Sequence, residues 1–264
     1  MAGVRFDKYE GLGNDFVVVE ERGPLDERRV VEICDRHFGV GADGVLVVAP
    51  PRSAGARATM IVENADGSRP EMCGNGLRCV ALHLARRDGE DRAEYVVDTD
   101  AGPRRCAVER QGDAASVLID MGRAVSAGEH RVSFEGTEYQ FSRISVGNPH
   151  AITFSGIPGL AVIDRLGPEI SRQIPGGTNV EFVAARGPRQ FDLVVWERGV
   201  GRTMACGTGA VATAAALGLA GHAPLGESLE IHLPGGALEV TVASGTLETR
   251  LRGPARRVFS GELP

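Results

Sequence analysis

Three short turns in this 264-residue chain recur at almost one offset, and that repetition restricts the fold more than any other feature of the sequence. Cys73 and Cys206 lie 133 positions apart, Asn64 and Glu197 are also 133 apart, and Asn14 and Asn148 are 134 apart. The period is several times that of a solenoid repeat, so the halves read as two copies of one domain-sized unit. Two similar domains related by a pseudo-twofold axis are expected, and such an axis would bring the two cysteine turns face to face across one cleft. A chain of 264 residues can bury one large core or two medium ones.

The turn from Glu197 to Gly209 opens onto Ala210–Leu219, an apolar stretch with no charged residue on any helical face. Such a helix is expected to be surrounded by other elements. The turn Glu71-Met72-Cys73-Gly74-Asn75-Gly76 similarly opens the helix predicted over Leu77–Arg87. Each places a cysteine, two glycines and a small polar residue at a helix mouth. Several amide N–H groups there lack internal partners and no bulky side chain screens them, which makes each mouth a cradle for a carboxylate or phosphate. The positive helix end favours thiolate over thiol at Cys206, so proton exchange near neutral pH is expected. The competing reading is a buried cysteine ahead of a core helix.

Apolar alternation predicts short strands around these helices, at Val4–Tyr9, Asp15–Glu20, Val45–Ala49, Ala58–Glu63, Glu94–Asp98, Arg104–Glu109 and Ser116–Asp120 in the first half. In the second half they fall at Arg131–Phe134, Glu138–Val146, Ala151–Phe154, Asn179–Ala184, Phe191–Trp196, Ser228–Leu233, Ala237–Val242 and Thr246–Arg252. Helical spacing appears over Asp26–Arg36 and Ala161–Ser171. Thirty-six glycines, about twice the usual ~7% share, imply many tight turns. Composition loosens around Met121–Gly128, which places an N-terminal domain carrying Cys73 over residues 1–121 and a C-terminal domain carrying Cys206 over 122–252. A short strand within 253–264 is expected to cross back and complete the first domain. The fold class is α+β, with two pseudo-symmetric domains, each a mostly antiparallel curved sheet or barrel wrapped around a central helix. A doubly wound parallel sheet would need a regular strand–helix alternation that is missing here.

Several function classes are excluded. A net charge of −6 without a long basic run gives nucleic acid no footprint. No apolar run reaches the ~18 residues of a membrane span and the first residues lack a signal-peptide core, so no membrane association and a cytoplasmic location are expected. Five scattered cysteines argue against a disulfide framework. Cys73 and Cys79 lack the companions of a zinc site, so no metal is expected. Lys8 is the only lysine, so a pyridoxal-phosphate Schiff base would rest on it alone, and no cofactor is expected. The loop Gly39-Val40-Gly41-Ala42-Asp43-Gly44 lacks the lysine of a phosphate-binding loop and reads as a turn.

Two thiols at opposed helix mouths suit a reaction that removes a proton from one face of a carbon and returns one to the other. One thiolate is the general base and the other thiol the general acid. The carbon would lie α to a carboxylate, whose growing charge the helix N–H groups stabilise. Because an α-proton is very weakly acidic, exclusion of water would matter as well.

The motifs that carry this reading are Lys8-Tyr9-Glu10-Gly11-Leu12-Gly13-Asn14-Asp15-Phe16, Asn64-Ala65-Asp66-Gly67-Ser68, Met72-Cys73-Gly74-Asn75-Gly76, Gly147-Asn148-Pro149-His150, Asn179-Val180-Glu181-Phe182, Glu197-Arg198-Gly199 and Ala205-Cys206-Gly207-Thr208-Gly209. Together, and in this order over nearly the whole chain, they resemble the diaminopimelate epimerase family. The resemblance implies a cofactor-independent two-base epimerase that interconverts LL- and meso-diaminopimelate on the route to lysine and peptidoglycan precursors. Its small-molecule substrate would be its ligand, and a homodimer is its implied assembly. Cys73 and Cys206 match the acid/base pair. Gly74, Asn75, Gly207 and Thr208 match the turns that hold the reacting carboxylate. Asn14, Asn64, Asn148, Asn179, Glu197 and Arg198 match substrate-binding positions, and His150 with Glu197 matches the polar pair beside the thiols.

Physical chemistry supports these roles unequally. Arg198 is a natural fork for a distal carboxylate, because a guanidinium makes two parallel hydrogen bonds to it. Asn14 and Asn64 fit turn architecture equally well. Asn148 precedes Pro149 and is held extended, which aims its side chain. His150 also fits a hydrogen-bonded core histidine. Two positions depart from the family pattern: Gly44 where many members carry glutamine, and Arg202 where many carry glutamate. A proline or hydroxyproline racemase shares the thiol pair but tends to have Met-Cys-Gly-His-Gly at the first cysteine, where this chain has Asn75. A non-catalytic amino-acid-binding protein would need neither cysteine, and a Cys73–Cys206 disulfide would be compatible with an oxidised off-state.

Overall fold

The computed structural model describes residues 4–263. The chain divides into two compact units, Met1–Asp120 with Arg252–Pro264 and Met121–Leu251. Residues 1–3 and 264, which the sequence reading included in the first domain, lie outside the described residues.

The first unit runs β1 (Val4–Gly11), β2 (Asn14–Glu20), α1 (Glu27–Cys34), β3 (Gly44–Ala49), β4 (Ala58–Asn64), α2 (Gly74–Asp88), β5 (Arg92–Asp98), β6 (Arg104–Gln111) and β7 (Ala114–Arg123). These strands neighbour one another in chain order. Most pairs are antiparallel, but β2–β3 and β4–β5 are parallel. Parallel neighbours need a crossover, and α1 and α2 supply the two. Both helices end on readable signals: the Asp26 carboxylate accepts from the Arg28 amide at the start of α1, and Gly89, with φ of 78°, stops α2. The helix α1 lays Val30, Ile33 and Cys34 against Val17, Val19, Val45 and Val47 of the sheet. The helix α2 is buried on every face from Gly74 to Ala85 and packs against β1 to β6, so it is the core of this unit.

The second unit repeats the arrangement. It comprises β8 (Val125–Phe134), β9 (Thr137–Ser145), β10 (Pro149–Thr153), α3 (Leu160–Gln173), β11 (Asn179–Gly187), β12 (Gln190–Glu197), β13 (Gly201–Arg202), α4 (Gly207–Leu219), β14 (Ser228–Leu233), β15 (Gly236–Val242) and the start of β16 (Glu248–Leu263). The parallel pairs are β10–β11, crossed by α3, and β12–β14, crossed by α4. The helix α3 covers one sheet face with Ile163, Leu166 and Ile170 against Phe141, Val180 and Phe182. The uncharged α4 is buried from Gly207 to Leu217 apart from Thr208, and packs against β9, β10, β11, β14 and β15. Each unit thus has one helix inside the sheet and one on its outer face, the α+β architecture expected for it.

The structure adds to the sequence reading at two places. The segment Met121–Gly128, where composition loosens, takes in the end of β7 and the start of β8. Almost no side chain of that strand is buried, and Gly128 (φ 85°) sits in a bulge between Ser126 and Glu129. Backbone bonds to β9 hold it, and apolar alternation announces only its end, Arg131–Phe134. The tail is not a separate short strand, because β16 runs without interruption through Gly253-Pro254. Pro254 is exposed, and its carbonyl accepts from Arg78 Nε at 2.9 Å. The distal part of β16 pairs antiparallel with β1 from Val4↔Leu263 to Glu10↔Arg256, and with β7 it completes the ring of the first unit.

Gly44 pairs with Asn64 across β3–β4, and a Cβ there would stand 2.6 Å from the Glu63 carbonyl oxygen. That oxygen is backbone and cannot step aside. Gly44→Ala is expected to cost about 1–3 kcal/mol through overpacking. Gly23→Ala, where nothing lies within 4 Å of the added Cβ, should unfold like the parent. Urea unfolding of the two variants checks this.

Candidate active site

In the first unit Cys73 is the N-cap of α2, with φ −136° and ψ 111°, and its Sγ accepts from the Gly76 N–H at 3.3 Å. N-caps are usually Ser, Thr, Asp or Asn, whose oxygens satisfy one of the orphan amides of the first turn. Here a sulfur does so, and such a bond strengthens when the sulfur is a thiolate. A side chain at Gly76 would drive a Cβ to 2.8 Å from Leu46, so the third helical position must stay bare.

Asn75 follows, buried, and its Nδ2 donates to Asn14 Oδ1 at 3.1 Å. Asn14 Nδ2 donates in turn to Asp43 Oδ2 at 2.8 Å, so both ends of the Asn14 amide are fixed. Behind it Arg36 bonds Asp15 and Asp43, each at 2.7 Å, and Lys8 Nζ lies 2.6 Å from Asp15. Lys8 also donates to the Gly41 carbonyl. The only lysine is therefore committed to an ion pair inside the fold, which removes it from Schiff-base chemistry. Asn64, at the end of β4, donates to Ser68 Oγ at 2.9 Å within its turn. Gly44, at the start of β3, contributes no side chain here.

In the second unit Cys206 is the N-cap of α4, with φ −129° and ψ 105°, and its Sγ accepts from the Gly209 N–H at 3.4 Å. The local geometry repeats that of Cys73 within a few degrees. The surroundings differ, since Cys73 is partly exposed and Cys206 is buried. Thr208 Oγ1 lies 3.6 Å from the Cys206 sulfur, and Asn148 Nδ2 donates to that hydroxyl at 3.3 Å. Asn148 Oδ1 is 3.0 Å from His150 Nε2, and His150 Nδ1 is 2.6 Å from Glu181 Oε1. Glu197 accepts from the Thr203 hydroxyl at 2.5 Å. Asn179 Oδ1 accepts from the Arg198 amide at 2.9 Å, while the Arg198 guanidinium donates to the Gly176 carbonyl. Its stem closes over Gly177, where a Cβ would come within 2.6 Å of Arg198 Cδ.

Three results depart from the sequence reading. Burial, followed by the Glu197 and Glu181 carboxylates, pushes the Cys206 thiol well up against the bonds from Thr208 and Gly209, so the thiol form prevails over the expected thiolate. The side chain that holds His150 is Glu181, which the sequence reading left out. Its signal was present: a charged residue alternating with Val180 and Phe182 in β11 points to the opposite, inner face. Arg202 pairs through Nε with Asp164 at 2.6 Å, so its charge is neutralised locally.

Burial also draws the Asp15 carboxyl upward, but hydrogen bonds from Arg36 and Lys8 outweigh it and hold the group at about 2, below its ordinary 3.8. A carboxyl lowered in the folded state contributes stability above its unfolded value and loses it as pH falls through the folded one. Stability should therefore decline between pH ~4 and ~2. In Asp15→Asn that part of the decline should be missing, as chemical unfolding measured across the range will show.

Comparison with known proteins adds the following. A sequence model of the diaminopimelate epimerase family matches residues 6–127 and 142–258. A diaminopimelate epimerase of Synechocystis sp. is 38% identical over 278 residues, covering 97% of this chain and 98% of that protein. One from Desulforudis audaxviator is 38% identical over 285 residues, covering 98% and 99% respectively. Among solved structures, a hydroxyproline epimerase from Agrobacterium vitis superposes with a TM-score of 0.81 at 16% identity, covering 100% of this chain and 91% of that one. A methylitaconate-delta-isomerase superposes with 0.69 at 14% identity, over 98% and 95%. At those identities the structural likeness speaks for the fold alone.

Proposed function

The chain belongs to the diaminopimelate epimerase family, and on that premise we propose that Cys73 and Cys206 are the two acid/base groups with which it interconverts LL- and meso-diaminopimelate. The observation that carries the proposal is the matched placement of the two sulfurs, each capping a buried helix and each accepting the N–H of a glycine three residues on. One thiolate removes the α-proton while the other thiol delivers a proton to the opposite face of the same carbon. No cofactor takes part in this scheme. The carbanionic charge moves onto the substrate carboxylate, which the helix-start amides of Gly74, Asn75, Gly207 and Thr208 hold and stabilise.

The remaining site residues take binding roles. Arg198 and Asn179 hold the distal carboxylate, Glu197 pairs with a substrate ammonium, and Asn14, Asn64 and Asn148 present amides whose orientation their own partners fix. His150 with Glu197 supports the thiol chemistry from beside Cys206. A cytoplasmic location, supply of lysine and peptidoglycan precursors, and a homodimeric assembly belong to the same reading and rest on family membership.

The test is incubation of the protein with LL-diaminopimelate in deuterated water, under reductant and without added cofactor. Meso product carrying one deuterium at the inverted α-carbon is expected. Cys73→Ala and Cys206→Ala should each lower kcat at least about 10²-fold. Absence of deuterium incorporation by the parent protein overturns the epimerase assignment, and turnover that survives both substitutions overturns the two-thiol scheme.

A further inference from the structure

Glu181 stands in the motif Asn179-Val180-Glu181-Phe182 without a role assigned to it, and its environment is unlike that of an ordinary structural carboxylate. Its side chain is fully buried, with Oε1 on His150, a hydrogen bond from the Ala151 amide to the carboxyl group, and, among the described residues, no side-chain partner for Oε2. It projects from β11 toward α4, away from the face on which Val180 and Phe182 meet α3. A Cβ on Gly209, in the first turn of α4, would sit 3.0 Å from Glu181 Oε1 and 3.2 Å from Cys206 Sγ. The bare glycine thus leaves room for carboxylate and sulfur side by side.

From Glu181 the hydrogen bonds form one connected chain through His150, Asn148 and Thr208 to Cys206. Its direction follows from what each atom can do. Asn148 Nδ2 donates to Thr208, so Asn148 turns its Oδ1, a pure acceptor, toward His150. His150 Nε2 must therefore carry a proton. Thr208 Oγ1 already accepts from Asn148, which leaves its own hydroxyl proton for the Cys206 sulfur. At the far end, His150 Nδ1 meets Glu181 over 2.6 Å, a contact that needs one proton between the two heavy atoms. Either a neutral Glu181 donates to a neutral imidazole, or an imidazolium donates to a carboxylate. The pair carries the same number of protons in both forms, and Nε2–H is retained in both.

We propose that Glu181 is a positioning residue for Cys206: by sharing one proton with His150 it locks the Nε2–H tautomer, and through Asn148 and Thr208 this fixes a hydroxyl donor on the sulfur. A donor held in that way stabilises the thiolate when Cys206 gives up its proton and is already in place when the thiol re-forms. The ionisable groups that face Glu181 are His150 from β10, Glu197 from β12 and Cys206 at the start of α4. Burial acts on Glu181 in the same sense as the proton-sharing, pushing its carboxyl up against the opposing pull of His150. The proposal rests on the acid/base role given to Cys206 above.

Two measurements test it. In substrate-free protein with 15N-labelled histidine, with the His150 signals identified by their loss in His150→Gln, Nε2 should show the shift of a protonated nitrogen at neutral pH. An unprotonated Nε2 in the parent protein overturns the proposal whatever the variants do, and this readout does not depend on turnover. Glu181→Met keeps the length of the side chain but offers His150 Nδ1 neither a donor nor an acceptor. Its His150 should lose the fixed Nε2–H signature, kcat should fall about tenfold with KM within about twofold, and the pH profile of kcat should move. Unchanged histidine shifts, or unchanged kcat and pH profile, overturn the role of Glu181 while leaving the epimerase assignment intact. A parent enzyme that shows the Nε2–H signature but no deuterium incorporation overturns the assignment of function, and with it the catalytic part of this proposal.

Discussion

A helix that begins inside a protein must find acceptors for its first amide groups, and in both units here a cysteine sulfur is one of them. Much else follows from that bond. In both units the cap residue is extended, the third helical position is glycine, and the helix lies buried within the sheet. The amides not taken by sulfur remain aimed at whatever anion arrives. In the proposed reaction one turn of backbone would supply both the reactive group and the oxyanion donors, with no reorganisation when charge develops.

The two helix starts share geometry but not company. Around Cys73 the amide of Asn14 is fixed by a network of full charges, Lys8, Asp15, Arg36 and Asp43, part of it exposed to solvent. Around Cys206 the work of orientation falls to a buried histidine–carboxylate pair and neutral amides. The first arrangement resists acid because its carboxyl is held low by cations. The second sets a carboxyl and an imidazole 2.6 Å apart with no solvent access to either. A similar backbone has thus been given two different electrostatic settings, one at a partly exposed sulfur and one at a buried sulfur.

How much of this was legible depended on whether a side chain left a pattern. The central helices were, because α4 carries no charge on any face and Cys-Gly-x-Gly recurs at a fixed offset. Most strands were as well, since apolar residues alternate along them. The first part of β8, before Arg131, was not, because its side chains are nearly all exposed and its hold is backbone bonding. Gly253-Pro254 looked like a break in the tail and is not one, because the proline faces outward. Among site residues, those in turns with glycine or proline stood out, while Glu181 and Asp43 did not. Their importance lies in what they hold, and a second layer of contacts is set by three-dimensional neighbours rather than by spacing along the chain. The charge state of Cys206 was misjudged for the same reason: a helix end is visible in sequence, but two carboxylates folded in beside it are not.

The strand β16 leaves the second unit and pairs with β1 in the first, from Val4↔Leu263 to Glu10↔Arg256. A chain made from its amino end therefore emerges from the ribosome with the first unit's ring still open, and more than a hundred residues must follow before the closing strand exists. The second unit is contiguous and is complete once Leu251 has emerged. The earlier domain usually folds first during synthesis, whereas here the first unit lacks its last strand until the second has been made in full. Until then β1 and β7 wait as unpaired edges, the kind of surface that invites misassembly and chaperone attention. Completion of the first half is thus tied to completion of the whole chain, so a nascent fragment that stops short displays Cys73 on an unfinished frame.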